Sequence, residues 1–434
     1  MTMETLSEPL GLRLYRAASW ASAPVAHLVL RKRLAEGKED PARMAERTGA
    51  PGLARPGGAL VWIHGASVGE SLSVLPLVER MKKEKPGLNV LVTTGTVTSA
   101  RLMAERLPGG AVHQFVPVDH PRFVRGFLDH WRPDAAIFVE SEFWPNLLIE
   151  TRRRARFMAL VNGRVSPKSF EEWKGKPQSI RYLLSLFDMM IAQDRQNAER
   201  LGALAGRDVP SYGNLKNAAP PLPGDSLDEA RILAQLDGRP FWLAASTHPG
   251  EEAAIFAAHR ALKSELSGIV TLLAPRHPER GAELAGLAAA SGLVARRRSK
   301  REPMTGEADI YVADTLGELG LFYRLSNIAF VGGSLIEKGG HNPLEPARLG
   351  CAILHGPHVF NFVETYADLR AAGGAGLVRN DRELAAAVKR LLADERTRFA
   401  MADSARGAAA ANAERVLADV VAAIAPRLPA HAAC

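Results

Sequence analysis

Cysteine is nearly missing from this chain of 434 residues: Cys351 lies inside an apolar run and Cys434 is the last residue. That argues against a structural disulfide, excludes a cysteine-based metal site and fits a reducing compartment. Acidic residues are missing from Pro9 to Ala35, where Arg13, Arg16, Arg31, Lys32 and Arg33 flank the uncharged run AASWASAPVAHLVL. The run is well short of the ~20 residues a spanning helix needs, and Pro24 interrupts it. Charges on both sides also fit a signal peptide poorly. Several chemistries lack their signatures. There is no GxGxxG or GxxxxGK[ST] for a nucleotide and no DxD or HExxH for a metal, and a nucleophile elbow for acyl transfer is not expected. His355 and His358 flank a Gly-Pro pair and read as a turn. Aromatics are not interleaved with the basic residues in the RNA-binding manner.

What is present is apolar and basic. Hydrophobic residues make up 47% of the chain and the net charge is +8. Such a length predicts two domains of roughly 200 residues, and the charge favours anionic partners: nucleic acid, phosphorylated substrates or anionic lipid. The first 35 residues read as an interfacial segment, with Trp20 at headgroup level and basic residues on anionic phospholipid. The alternative is an ordinary N-terminal helix packed on its own domain.

Buried strands alternate with helices beyond that segment. Residues 59–66, 89–96, 111–119, 157–165 and 188–194 read as strands and 135–146 as a strand entering a loop, with a further short strand near Val209. Most are separated by helical patterns, which predicts a parallel sheet covered on both faces. Three prolines in NLKNAAPPLPGDS, residues 214–226, mark a stiff connector. A second series follows at 239–247, 268–277, 309–315, 328–331 and 351–355, giving domains 36–213 and 227–434. The alanine-rich C-terminus suits helices, which could pack back on the first domain. Two doubly wound domains leave a cleft for ligands.

Charged residues recur where these strands end. HGASVGES follows the first strand; Ser67 and Glu70 have capping-box spacing, which puts Glu70 in a first helical turn, as a plain cap or as a general base. ESEFWPN follows the fourth, with Glu140 and Glu142 alternating across the strand and so expected on opposite sides. Pro275-Arg276 precede a helix expected near Glu279, where a guanidinium suits a phosphate. Lys216 stands at the connector, and Leu316-Gly317-Glu318 open another strand-to-helix turn. Both basic side chains read equally as solvated surface charge. Residues 330–357, FVGGSLIEKGGHNPLEPARLGCAILHGP, form a βαβ unit with a glycine-rich turn. There Asn342, Pro343, Leu344 and Glu345 begin a helix, with Asn342 as its cap or Glu345 as an acceptor for a ribose diol.

In this order HGASVGE, ESEFWPN, GNLK, APRH, DTLGEL and VGGSLIEKGGHNPLEP resemble the motifs of the Kdo transferases, the 3-deoxy-D-manno-octulosonic acid transferases acting on lipid A precursors. The resemblance implies a GT-B fold: two Rossmann-like α/β domains facing a central cleft. It implies CMP-Kdo as donor, lipid IVA as acceptor, no metal and no further cofactor. It also implies a place on the cytoplasmic face of the bacterial inner membrane, against anionic lipid and without nucleic acid. By motif, Glu70 corresponds to the general base, and Glu140 and Lys216 to residues supporting the transition state. Pro275, Arg276, Leu316 to Glu318 and Asn342 to Glu345 correspond to the CMP site. Two other readings stand beside it: a nucleotide-sugar epimerase of GT-B type, and a non-catalytic nucleotide- or nucleic-acid-binding protein.

Overall fold

The computed structural model describes residues 6–429, so Cys434 and the first five residues of the basic segment lie outside the described residues. The chain divides into two compact units. One is formed by residues up to Ala219 and from Ala413 onward, the other by Pro220–Asn412.

The first unit holds six parallel strands: β1 Leu60–His64, β2 Asn89–Thr94, β3 Ala111–Phe115, β4 Ala135–Val139, β5 Phe157–Gly163 and β6 Met189–Ala192. Their order is β3-β2-β1-β4-β5-β6. Alternation along β1 sends Leu60 and Trp62 into the core on one face and Val61 and Ile63 into that on the other. A strand covered on both sides must read as a continuous apolar run, as this one does. Val416, Val420 and Ile424 of the long helix Glu395–Ile424 pack into the second of these cores.

The second unit carries seven parallel strands: β7 Phe241–Thr247, β8 Val270–Pro275, β9 Ala295–Arg297, β10 Ile310–Val312, β11 Ile328–Val331, β12 Ala352–His355 and β13 Ala375–Leu377. The order is β13-β12-β11-β7-β8-β10-β9. Each unit is therefore doubly wound. In such sheets the chain turns in opposite directions from one interior strand, and the loops on either side of that point open a crevice at the carboxyl edge. The switch lies between β1 and β4 in the first unit and between β7 and β11 in the second.

Several local expectations change. Near Val209 there is only a single bridge, Ala192 to Ser211, in place of a strand. The short edge strands β9 and β13 and the helices Pro167–Lys174 and Pro177–Ser185 add to the expected set. The basic segment forms two helices, Leu10–Ala21 and Ala23–Ala35, and Pro24 sits in the first turn of the second, where its missing N–H costs nothing. Leu12 and Leu30 anchor the pair on the first unit, while Leu10, Leu14, Val25 and Leu28 remain 59–68% exposed. Among the described residues no helix is long and apolar enough to cross a membrane.

Candidate active site

The first unit gathers charge at its switch point. Ser67 caps the helix Val68–Glu84, its Oγ accepting from the Glu70 N–H. The Glu70 carboxylate in turn accepts from the Ser67 hydroxyl at 2.7 Å and from the Ala66 N–H at 2.8 Å. Cap and candidate base are thus one arrangement. Burial raises the Glu70 pKa, two hydrogen bonds oppose the rise, and the negative charges of Glu140 and Glu142 add to it. Residues 65–69 also spell G-x-S-x-G. Ser67, however, has φ −104° and ψ 167°, ordinary extended backbone rather than the strained turn of a nucleophile elbow, and its hydroxyl is engaged with Glu70.

Across the switch, β4 stops at Val139 and Glu140 takes a left-handed φ of 62°. That turn ends the strand alternation. The expectation that Glu140 and Glu142 face opposite ways is therefore corrected: both lie near enough to Glu70 to act on its charge. Glu140 is buried and pairs with Lys216 Nζ at 2.5 Å, with Arg164 at 4.0 Å. Lys216 belongs to the 3-10 turn Leu215–Ala218, held where Asn162 accepts from the Leu215 N–H and Asn214 from the Lys216 N–H. Lys216 lies over the first turn of the helix that carries Glu70, its Cε 3.6 Å from where a Cβ on Gly69 would stand. The structure brings Glu70, Glu140 and Lys216 together.

Sequence reasoning gave His64 no part here. Its Nδ1 lies 2.9 Å from the Thr93 hydroxyl and its Nε2 lies 3.7 Å from Glu142. Glu142 also accepts from the Trp144 indole N–H at 2.6 Å. Burial works against ionisation of Glu142, yet His64 and Trp144 together hold its pKa below the usual value. Glu70 and Glu142 therefore stand near one another with proton affinities moved in opposite directions, the pattern by which acid and base roles are separated.

In the second unit the expected donor segments lie at the carboxyl ends of three strands, 275–276 at β8, 316–318 after β10 and 342–345 after β11, with β7 between β11 and β8. Arg276 is exposed, and the helix expected near Glu279 begins instead at Gly281, after a 3-10 turn Pro278–Arg280. The short helix Leu344–Arg348 has Pro343 at its N-cap in place of the expected Asn342, whose side chain, one residue earlier, accepts from the Leu344 N–H at 3.1 Å. Burial raises the pKa of Glu345, and the charges of Arg348 and Arg276 pull it down. Leu316 is 84% exposed and Gly317 has φ 81°. Glu318 bonds Thr315 and Arg298, the latter at 2.8 Å, and lines a polar cavity of about 640 Å³ with Asp228 and Tyr311.

The glycine-rich turn is fixed from outside itself by Glu251, which sequence reasoning also passed over. This buried carboxylate accepts from the N–H groups of Gly333, Ser334, Leu335 and His248 at 2.6–3.1 Å. Among the described residues no group of three or more His, Cys, Asp or Glu is placed to hold a metal ion.

Residues 42–219 match the family model described as 3-deoxy-D-manno-octulosonic-acid transferase (kdotransferase). The chain is 35% identical over 346 residues to the 3-deoxy-D-manno-octulosonic acid transferase of Rickettsia bellii (strain RML369-C), covering 80% of this chain and 82% of that one. It is 35% identical over 421 residues to the enzyme of the same name from Bordetella pertussis, covering 93% and 96%. A glycosyltransferase from Rickettsia africae ESF-5 shares the fold at 12% identity and a TM-score of 0.58, over 85% of this chain and 98% of the other.

Proposed function

The chain belongs to the family of 3-deoxy-D-manno-octulosonic acid (Kdo) transferases, and from that premise we propose an inverting transfer of Kdo from CMP-Kdo to lipid IVA with Glu70 as general base. The observation that carries this reading is the cluster of Glu70, Glu140 and Lys216 at the switch point of the first unit. A single displacement needs one base and a stabilised leaving group, without a covalent nucleophile. Glu70 takes the proton from the acceptor's primary hydroxyl as that oxygen bonds to the anomeric C2 of Kdo. The bond from C2 to the phosphate oxygen breaks, and its electron pair leaves with CMP. Burial helps by lifting the proton affinity of Glu70 toward that of a useful base at neutral pH.

Glu140 and Lys216 act as a neutral, preorganised pair whose dipole supports charge developing in the transition state. The donor occupies the second unit, with Glu345 at the ribose and Arg276 at the phosphate. Residues 316–318 complete the nucleotide site. Charge on the departing CMP is offset by Arg276 and backbone N–H groups, so no metal step is invoked. The N-terminal helices meet the cytoplasmic face of the inner membrane, where the acceptor and anionic lipid lie.

The test is transfer from CMP-Kdo, generated in situ, to lipid IVA in detergent, followed by mass spectrometry with EDTA present. A product heavier by whole Kdo units is expected, and it also counts the additions. No product from folded protein that still binds CMP would overturn the acceptor assignment. Nucleotide release without any acceptor would favour an epimerase-like reaction.

A further inference from the structure

Three histidines in the second unit have no part in the reaction just described, and they converge on the switch point between β7 and β11. His248 leaves β7 and His341 closes the glycine-rich turn after β11. Their Nε2 atoms are 2.9 Å apart and their rings are parallel within 4°. His277, after β8, sets its ring 5.9 Å from that of His248. Arg276 acts electrostatically on both rings and Lys338 on that of His248.

The close approach is built into the backbone. A Cβ on Gly333 would come 3.3–3.4 Å from both rings, a tight contact, and the φ of 67° there independently favours glycine. Glu251 sits beneath, but its oxygens are taken by four N–H groups, and Glu252 supplies the remaining negative charge felt by His248. Desolvation, then repulsion from the neighbouring cations, lowers the pKa of both histidines, that of His341 to about 4. At neutral pH the pair is uncharged and shares one N–H between the two facing nitrogens. It has room to gain a proton and a reason not to, until an anion arrives.

We propose that His248, His341 and His277 form with Arg276 and Lys338 an anion subsite that takes up a proton as the phosphate of the donor nucleotide binds. The inference rests on the reading of the second unit as the CMP-binding unit. An added proton breaks the shared N–H contact between His248 and His341, turns both Nε2–H groups outward, and gives the phosphate two donors beside the Arg276 guanidinium. The same subsite would hold charge on the phosphate as it becomes the leaving group.

CMP is the probe, because its phosphate has finished titrating above about pH 7, its second pKa being near 6. Any proton linked to binding above that pH belongs to the protein. Affinity measured by calorimetry between about pH 7 and pH 8.5 should weaken with rising pH, approaching tenfold per pH unit for one linked proton. Repeating one pH in buffers of different ionisation heat should count a net uptake. H248Q and H341Q keep a hydrogen-bonding side chain without the titration. Each should bind CMP more weakly at pH 7 and show a flat profile, and H277Q, on the exposed rim, should lower affinity with the slope retained. A flat profile and no proton uptake in the unaltered protein, with CMP still bound, would overturn the proposal and leave the nucleotide reading intact. Failure of CMP to bind at any pH would overturn that reading itself.

Discussion

Glu70 is held by hydrogen bonds from Ala66 and Ser67, and it still feels two neighbouring carboxylates. As a base it works only when ionised, so turnover falls as acid protonates it. Because burial first, and then Glu140 and Glu142, raise its pKa, the acid limb of kcat/KM should lie above the range of an ordinary carboxylate. Glu142→Gln removes one of those charges, and the limb should move to lower pH; an unmoved limb would show that another group sets it. Glu70→Ala should cost roughly 10² to 10⁴ in turnover while CMP affinity, measured by calorimetry, stays unchanged. Near-normal turnover by a folded variant would end its assignment as base. Much of this was legible in the sequence, because Ser67 and Glu70 are local partners within one turn. The place of Glu142 was not. Strand alternation predicts its side only while the strand continues, and Glu140 leaves the extended region at φ 62°.

The glycine-rich turn after β11 is held in part from outside itself, by the end of β7 and by Glu251. Gly332 lies so close to the end of β7 that a Cβ would come 2.7 Å from Ser246 O and 2.8 Å from Thr247 Cα. Backbone atoms cannot rotate away, so Gly332→Ala should part the two strand ends and weaken CMP binding. The carboxylate of Glu251 offers two acceptor oxygens to four N–H groups. Glu251→Gln leaves one acceptor oxygen and points an amide donor at backbone donors. Each stranded N–H costs roughly 1–3 kcal/mol, so a lower denaturation midpoint is expected together with weaker CMP binding. An unchanged midpoint would mean the turn is held by other contacts. These elements show where sequence reading stops. Periodicity reveals a strand, and glycines reveal a turn, but neither says which two strand ends are neighbours. His248, His277 and His341 come from three separate segments, and only the order β11-β7-β8 brings them side by side. Edge strands of three residues, β9 and β13, are too short to show any period.

At the scale of the whole molecule, the net charge of +8 and the two N-terminal helices bear on where the protein works. Both readings of the basic segment have a physical basis in the structure, since Leu12 and Leu30 bind it to the first unit and its outer residues stay uncovered. Trp20 is 41% exposed, and the guanidinium groups of Arg122 and Arg125 lie 5.4 and 5.2 Å from its ring centroid. An aromatic flanked by cations and exposed leucines suits the boundary between headgroups and acyl chains. Leu14 and Leu28, already more than half exposed, would together contribute about 2–4 kcal/mol on entering that layer. Replacing both with Glu should therefore lower partitioning roughly 30- to 1000-fold, more where the vesicles are anionic. Flotation with vesicles of phosphatidylglycerol and phosphatidylethanolamine measures this directly. The unaltered chain should rise with the vesicles and release partly at high salt, while L14E/L28E stays at the bottom with CMP binding intact. A variant that floats as well as its parent would leave these helices only their packing role, and the membrane contact would have to come from another surface.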